Sequence, residues 1–444
     1  MKLGLISLGC SKNTVDSENM LGILVKEKNL ELVENIEEAD IIIVNTCAFI
    51  NDAKEESIQT ILEMSDYKKD GSLKKLIVSG CLSERYKEEL LKEIPEIDAV
   101  VGTGDVDKIG EVVDSIIDGK KELRVGSLDF LPTSKTPRML TNYPHSAYLK
   151  ISEGCDKHCT YCIIPSLRGD LRSRTIEDVV AEAENLAKDG VVELNLLAQE
   201  ITEYGKDIYG KRMLPELLKE LVKVEGIKWI RLYYMYPNSI SDELIEVIKN
   251  EPKICNYFDV PIQHISDNIL QQMGRAKSGE VIRNILGRIR NAIPEATIRT
   301  TVIVGFPGET EENFQELKEF IEEFKFDYVG VFKYSREEDT VAYDLPNQIP
   351  EEIKEERWAE LLNIQGEIIE RKNEKFIGET VDVIIDGIST ESEYMLEGRM
   401  RTQALDIDGK VLTSDGTAKI GDIVKVKIEQ NFQYDFIGPI LDEE

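Results

Sequence analysis

The stretch GCDKHCTYC, residues 154–162, carries three cysteines at the spacing C-x3-C-x2-C. It follows a short apolar segment, residues 147–151, that the sequence predicts to be a buried β-strand. Thiolates bind iron–sulfur clusters, and three thiolates on a [4Fe–4S] cube leave one iron free to bind a small molecule. The alternative is a zinc site with His158 as fourth ligand. That alternative is disfavoured because His158 directly precedes Cys159, so both could hardly reach one metal.

Segments of the same kind recur after the cysteine stretch, each followed by loop residues and a charged helical pattern. Together with the first they lie at residues 147–151, 193–197, 230–234, 257–260, 297–304 and 328–332. Repeated β/α units predict a barrel of parallel strands, and six units where a complete barrel needs eight predict an incomplete one. Barrel enzymes place their chemistry in the loops that follow the strands, which is where the three cysteines stand.

A second set of cysteines is dispersed over the first 130 residues. Cys10, Cys47 and Cys81 each stand just beyond a predicted strand, at residues 2–8, 41–44 and 76–78. The carboxyl ends of parallel strands share one edge of a sheet, so these three thiols can meet in space. A single cysteine after a strand is usually a small buried apolar side chain, and that remains the alternative. Cys255 has no cysteine near it in the sequence and is interpreted as structural.

The predicted fold class is α/β, with three domains. Three prolines in residues 131–144 indicate a linker, and after residue 375 the pattern changes to short alternating strands with Asp-Gly turns. The prediction is an open parallel α/β sheet over residues 1–130, the linker 131–144, the partial (β/α)6 barrel over 145–374, and a small antiparallel β-barrel over 375–444.

The composition restricts the possible functions. The chain has 444 residues, with 54 Lys and Arg against 85 Asp and Glu, giving a formal net charge of −31. Binding of nucleic acid through general charge is disfavoured, because phosphate contacts depend on Lys and Arg. Seven cysteines over this length do not suggest a secreted disulfide scaffold. No signal peptide or transmembrane segment is evident, so a cytoplasmic protein without membrane contact is expected.

Along the chain, a domain with three dispersed cysteines is followed by a barrel with a cysteine loop and then by a small β-barrel. This order resembles the radical S-adenosylmethionine (SAM) methylthiotransferases, which convert an unactivated C–H bond into C–S–CH3. The C-x3-C-x2-C loop resembles the radical SAM signature, and the C-terminal domain resembles the OB-like TRAM barrel. The resemblance implies two [4Fe–4S] clusters, one on Cys10, Cys47 and Cys81 and one on Cys155, Cys159 and Cys162. It further implies that SAM binds the second cluster, with one SAM molecule supplying a radical and another the methyl group.

Two branches of that family differ in substrate. One modifies an adenosine beside the anticodon of tRNA, and the other modifies the β-carbon of an aspartate in small-subunit ribosomal protein twelve. The strings LGCSKNTVDSE (8–18), the segment 152–174, PIQHISD (261–267) and YSREEDTVA (334–342) resemble the ribosomal-protein branch. Residues 375–444 carry 15 acidic and 7 basic residues, which suits a basic protein substrate better than RNA. Solvation of the surface is the competing explanation for these acids.

The resemblance also implies a SAM site on the barrel, where Glu200 could receive the cofactor's ammonium through a charge-assisted hydrogen bond. The residues assigned to it are Tyr161, Gln199, Glu200, Gln263, Val304 and Gly305. Contacts with ribose or substrate are expected from His264 and Ser266, and carboxylate binding from Arg168, Arg172 or Arg174. For each, a purely structural role is the alternative. No catalytic residue beyond the cluster ligands is assigned.

The partners implied by the resemblance are the basic ribosomal protein as substrate, an electron donor of the flavodoxin or ferredoxin type, and a sulfur source. Direct binding of nucleic acid is less favoured, because the chain is strongly acidic.

Overall fold

The structure is a computed structural model that describes residues 1–69, 71, 73–275 and 278–441. Within those residues it has three parts, joined in chain order by an irregular segment and a long helix. No helix in this described portion is long and apolar enough to cross a membrane. The last residues of the predicted C-terminal domain, 442–444, lie outside the described range.

The N-terminal part contains a six-stranded parallel sheet with the order β2-β1-β3-β4-β5-β6. Its central strand β3 reads IIIVNT and is buried along its whole length, as expected for a β-branched run covered on both faces. Helices α1 and α4 cover one face, and α2 and α3 cover the other. The elements are β1 (Lys2–Ser7), α1 (Ser11–Lys28), β2 (Glu31–Leu32), β3 (Ile41–Thr46), α2 (Asn51–Lys69), β4 (Lys75–Gly80), α3 (Cys81–Glu93), β5 (Ala99–Val101), α4 (Ile109–Ile117) and β6 (Glu122–Arg124).

The central part is an open barrel of six parallel strands. They form two sheets, with the orders β11-β10-β7 and β12-β13-β14, and the bridge between Ile230 and Ile254 joins the two. The small strands β8 and β9 pair on either side of the cysteine loop. The elements are β7 (Ser146–Lys150), β8 (Ser152–Glu153), α5 (Ile164–Arg168), β9 (Arg172–Ser173), α6 (Ile176–Lys188), β10 (Glu193–Leu197), α7 (Lys206–Tyr209), α8 (Leu214–Leu221), β11 (Trp229–Leu232), α9 (Asp242–Asn250), β12 (Tyr257–Asp259), α10 (Asp267–Gln272), α11 (Gly279–Ala292), β13 (Thr297–Val304), α12 (Glu311–Phe324), β14 (Tyr328–Lys333) and α13 (Glu351–Asn373).

The C-terminal part is a curled half-barrel sheet with the order β18-β15-β16-β17-β20-β19. Its strand pairs are antiparallel except β17 with β20, which run parallel, a departure from the all-antiparallel expectation. The parallel pair arises because the chain passes through β18 and β19 after β17 and then returns as β20 beside β17. The strands are β15 (Thr380–Ile388), β16 (Leu396–Met400), β17 (Val411–Thr413), β18 (Ile423–Lys427), β19 (Gln430–Phe432) and β20 (Asp435–Gly438).

The C-terminal part packs against the amino ends of the barrel strands, opposite the cysteine loop. Arg399 of β16 donates to Glu193 at the start of β10 at 2.7 Å, and Arg231 of β11 contacts the same carboxylate at 3.3 Å. Asp408 accepts from the hydroxyl of Tyr257, which opens β12, at 2.7 Å. These buried polar contacts fix the domain to the bottom of the barrel. The α/β fold class predicted from the sequence is confirmed.

The ion pairs of Glu193 predict a pH-dependent attachment of the C-terminal domain. Burial would raise the pKa of Glu193, but Arg399 and Arg231 outweigh burial and lower it to about 2. Its stabilising contribution is therefore present above about pH 4.5 and is lost as the pH falls toward 2, a change of roughly 3 kcal/mol. Glu193→Gln should destabilise the protein at pH 7 by about 3–5 kcal/mol and flatten this dependence, measured by denaturant unfolding from pH 7 to pH 3. An unchanged pH slope in the variant would contradict the assignment.

The irregular segment 131–144 packs on helix α1 at Gly22, which predicts a position-specific effect of adding one methyl group. A Cβ atom on Gly22 would lie 2.4 Å from the backbone of Pro137 and Arg138. Gly22→Ala should therefore destabilise the protein by about 1–3 kcal/mol. The matched control is Gly287→Ala in helix α11, where nothing lies within 4 Å of the added atom. That variant should stabilise by about 0.5–1 kcal/mol, and equal effects at both positions would contradict the prediction. Thermal unfolding measures both.

Candidate active site

The three N-terminal cysteines lie at the carboxyl edge of the parallel sheet. Cys10 precedes helix α1, Cys47 follows β3, and Cys81 opens α3. Gly9 has φ +88°, and a Cβ atom there would lie 2.8 Å from the Cβ of Cys47, so the Cys10 loop passes directly beside Cys47. Burial raises the pKa of Cys47 to about 12, and the neighbouring Cys81 and Cys10 contribute to the rise. The structure thus brings the three predicted residues together.

The three barrel cysteines occupy the loop between β8 and β9. Gly154 has φ +80°, and a Cβ atom there would lie 2.0 Å from the carbonyl oxygen of Asp170, so only glycine allows the loop to close. Burial raises the pKa of Cys155 to about 11 and that of Cys162 to about 12, and thiol neighbours add to both shifts. The guanidinium of Arg275 points at the sulfur of Cys159 at 3.7 Å. At neutral pH the raised pKa values keep Cys155 and Cys162 protonated, and they become ligands on losing the proton.

The geometry does not favour the zinc alternative at this loop. His158 is exposed, and Cys159 beside it is buried. Across the described residues, no group of three or more His, Cys, Asp and Glu side chains is tight enough to hold a single metal ion. The donor chemistry of each triad, three thiolates, is that of iron–sulfur ligation.

The predicted SAM residues include three buried oxygens that lack donors. Within the described part of the chain, Gln199 Oε1, Glu200 Oε2 and Gln263 Oε1 have no hydrogen-bond partner. The other oxygen of Glu200 accepts from the backbone N–H of Thr202 at 2.8 Å, which holds the carboxylate in place. Burial raises the pKa of Glu200. Buried acceptors without donors are costly, and a ligand that brings an ammonium group and hydroxyls would satisfy them.

Gln263 has φ +70°, a strained conformation for a residue other than glycine. It is held there by a backbone bridge to β13, in which its N–H donates to Thr301 at 2.8 Å. Strain of this kind collects at functional sites.

Val304 is buried and ends β13, and Gly305 follows it with φ +72°. The N–H of Gly305 donates to Glu309 at 2.5 Å. The fully buried His264 bonds the same carboxylate at 3.1 Å through Nε2, and its Nδ1 accepts from Ser266. Both ring nitrogens of His264 are therefore occupied. The expected contact of His264 with ribose or substrate is not supported, because the ring positions the Gly305 loop instead.

Tyr161 packs beside Met273 and Phe306, with its phenol directed at Cys159. This contact places Tyr161 beside the barrel triad.

The three arginines after the cysteine loop make different contacts. Arg172 donates to the backbone oxygens of Arg168 and Asp170, and Arg174 is paired with Asp178 and Glu182. Internal partners use the guanidinium of Arg174, whereas Nε of Arg172 has no hydrogen-bond partner among the described residues. Arg168 instead crosses to the N-terminal domain.

Two interdomain contacts were missed in the sequence. Asp16 of α1 meets Lys150 and Arg168 of the barrel, both at 2.6 Å. Glu337, in the loop after β14, accepts from Lys54 of α2 at 2.8 Å and from Arg85 of α3 at 2.7 Å. The motifs at residues 8–18 and 334–342 contain these acids, but a motif does not reveal the partner of each charge. The carboxyl edges of the sheet and the barrel therefore face each other across paired charges.

Comparison with known proteins agrees with this arrangement. Proteins named "Ribosomal protein uS12 methylthiotransferase RimO" match along the whole chain. The one from Trichlorobacter lovleyi is 49% identical over 100% of this chain and 98% of its own length. The one from Clostridioides difficile is 50% identical over 100% and 99%. The chain belongs to the RimO methylthiotransferase family. The resemblance inferred from the sequence motifs is thus confirmed.

Family descriptions cover the three parts of this RimO-family chain. Residues 2–102 match an uncharacterized protein family, UPF0004, residues 149–321 match the radical SAM superfamily, and residues 377–441 match the TRAM domain. Among solved structures, the radical SAM methyltransferase TsrM from Kitasatospora setae is similar with a TM-score of 0.54 at 15% identity, covering 74% of this chain and 72% of TsrM. The cobalamin-dependent enzyme OxsB is similar with a TM-score of 0.51 at 14% identity, covering 83% and 56%. At these identities the likeness shows the fold alone.

The orphaned oxygen of Glu200 predicts an effect on SAM affinity. Glu200→Gln keeps the side-chain shape but removes the charge, so binding of SAM should weaken by about tenfold, corresponding to about 1.4 kcal/mol. Equilibrium binding of SAM to the reconstituted protein measures this. Glu184→Gln, on the exposed side of α6, is the matched control and should leave the affinity unchanged. Equal affinity in Glu200→Gln and the unmodified protein would remove Glu200 from the SAM site.

Proposed function

We propose that this chain catalyses methylthiolation of ribosomal protein uS12, at the β-carbon of an aspartate, by a radical SAM reaction. The proposal rests on one observation. The two sets of three cysteines lie at edges of the N-terminal sheet and of the barrel that face each other. The full-length relatives named as uS12 methylthiotransferases support the same substrate.

The assignment of residues to cofactors follows from the donor sets. Cys10, Cys47 and Cys81 would hold one [4Fe–4S] cluster, and Cys155, Cys159 and Cys162 would hold the other. Gln199, Glu200 and Gln263 would satisfy the polar groups of SAM, and the Val304–Gly305 turn would lie against its adenine. When bound, SAM and the barrel cluster supply a carbon radical able to take hydrogen from an unactivated C–H bond. The protein positions that bond between the two triads and excludes water.

The position of the second triad suits sulfur insertion. A carbon that has lost a hydrogen atom at the barrel needs a sulfur donor within reach, and the N-terminal cysteines lie on the facing edge. We infer that the N-terminal site holds the sulfur that is transferred. An electron donor of the flavodoxin or ferredoxin type and an external sulfur source are further parts of the proposal. The reaction would occur in the cytoplasm, where ribosomal proteins are made.

The competing candidate for the substrate is tRNA. The relatives are named for uS12, and the C-terminal part of the chain is acidic, with 15 acidic against 7 basic residues over 375–444. Ribosomal proteins are basic, so complementary charge favours encounter with uS12 and opposes binding of RNA.

The experiment uses the full chain with reconstituted clusters, SAM and a reductant, acting on uS12 from cells that lack this protein. Mass spectrometry should find one methylthio group in place of one hydrogen on an aspartate. The triple variant Cys155→Ala, Cys159→Ala and Cys162→Ala should abolish both the product and SAM cleavage while retaining about half of the iron.

A parallel reaction offers tRNA with the modified adenosine as substrate. Methylthiolation of tRNA with unchanged uS12 would overturn the proposed substrate. SAM cleavage by the triple variant would overturn the assignment of the barrel cluster.

A further inference from the structure

Arg168 belongs to the barrel but completes the environment of an N-terminal cysteine. It ends helix α5, which begins two residues after Cys162, and its side chain is 3% exposed. One guanidinium nitrogen, Nη2, donates to Asn13 Oδ1 at 2.7 Å and points at the sulfur of Cys81 at 3.6 Å. The other, Nη1, donates to Asp16 at 2.6 Å. Asn13 and Asp16 both lie on α1, directly after Cys10.

The guanidinium is part of a buried network with two cations and two carboxylates. Lys150 bonds Asp16 and Glu153, both at 2.6 Å, and Arg168 contacts Glu153 at 3.5 Å. Glu153 also accepts from the amide of Gln199 in the SAM site. The network is neutral overall, so Arg168 is held without a surplus charge. The member aimed at the Cys81 sulfur, however, is the cation.

A cation and a hydrogen-bond donor at a ligand sulfur have a defined effect on an iron–sulfur cluster. The reduction potential depends on net charge and on hydrogen bonds to the sulfurs. Reduction adds negative charge, and a nearby positive charge stabilises the reduced form more than the oxidised form. Because Arg168 and Cys81 are both buried, solvent screens this interaction weakly. Arg168 therefore raises the potential, and Asp16 acts in the opposite direction.

We propose that Arg168 is a positioning residue that sets the reduction potential of the cluster on Cys10, Cys47 and Cys81 by donating to the Cys81 sulfur. The N-terminal site is thus incomplete without the barrel domain. This inference rests on the proposed function in one respect, since it takes the N-terminal cysteines as cluster ligands.

The test isolates the N-terminal cluster in the full-length chain by replacing Cys155, Cys159 and Cys162 with alanine. In this background the potential is measured by dithionite titration followed by electron paramagnetic resonance. Arg168→Gln should shift the potential to more negative values. Asp16→Asn should shift it to more positive values, because it removes a negative charge and keeps an acceptor oxygen. Opposite shifts are not expected from a general loosening of the structure.

The matched control is Arg138→Gln. Arg138 is another arginine that bonds helix α1, through Glu18 at 2.7 Å; its side chain is 9% exposed, and it has no contact with a cysteine among the described residues. It should lower the melting temperature without moving the potential. With all cysteines present, Arg168→Gln should slow methylthiolation of uS12 by about 10- to 100-fold, the usual effect of removing a group that supports a metal ligand. With Cys10, Cys47 and Cys81 replaced, it should leave SAM cleavage within about twofold, because Lys150 still holds Glu153.

An unchanged potential in Arg168→Gln, shifts of the same sign in Arg168→Gln and Asp16→Asn, or an equal shift in Arg138→Gln would each overturn the inference. So would the absence of a cluster in the barrel-triple variant. If the shifts occur as expected but the unmodified protein does not act on uS12, the proposed function fails and the role of Arg168 stands.

Discussion

Two cations and two carboxylates are enclosed between the N-terminal and central domains, and the relative placement of the domains depends on them. Lys150, Glu153 and Arg168 come from the barrel, and Asp16 comes from helix α1. Removing a single charge from water costs several kcal/mol, so each group is tolerated only while its partners are present. Separating the domains would leave Asp16 unpaired and would leave the two cations with Glu153 alone. The pairing therefore fixes the two cysteine edges against each other.

The same burial explains why the candidate site is suited to cofactors. Thiols at Cys47, Cys155 and Cys162 have raised pKa values because water is excluded, and ligation offsets that cost by stabilising the thiolate. The oxygens of Glu200 and Gln263 that lack hydrogen bonds among the described residues are a second cost, which a bound donor would remove. A dry site also protects a reactive carbon from side reactions. These costs become binding energy and selectivity when the cofactors bind.

The sequence predicted those features that depend on local pattern. Strand β3 could be read from its β-branched run, and Cys10, Cys47 and Cys81 could be placed at one edge because parallel strands share direction. Contacts between distant segments were not predictable. Arg168 and Arg174 stand six residues apart in one motif, yet one crosses to the other domain and one pairs with helix α6. The sequence predicts that His264 contacts ribose or substrate. In the fold its ring instead bonds Glu309, which is distant in the sequence. Such partners depend on tertiary packing, which residue type and spacing do not encode.

The position of the C-terminal domain limits what its acidic residues can contact. It is attached at the amino ends of the barrel strands through Glu193 and Arg399, away from both cysteine triads. Its acidic residues therefore cannot contact the reacting aspartate while the domain stays at the amino ends of the barrel strands. Exposed charges are screened beyond a Debye length of about 8 Å, so the role proposed for these acids is in the encounter with uS12 and not at the reacting carbon. The choice of one aspartate must then be made by residues around the facing triads, where contact with the substrate is direct. Under the proposed function, the acidic C-terminal part would act on the encounter with uS12, and the residues around the facing triads would select the carbon.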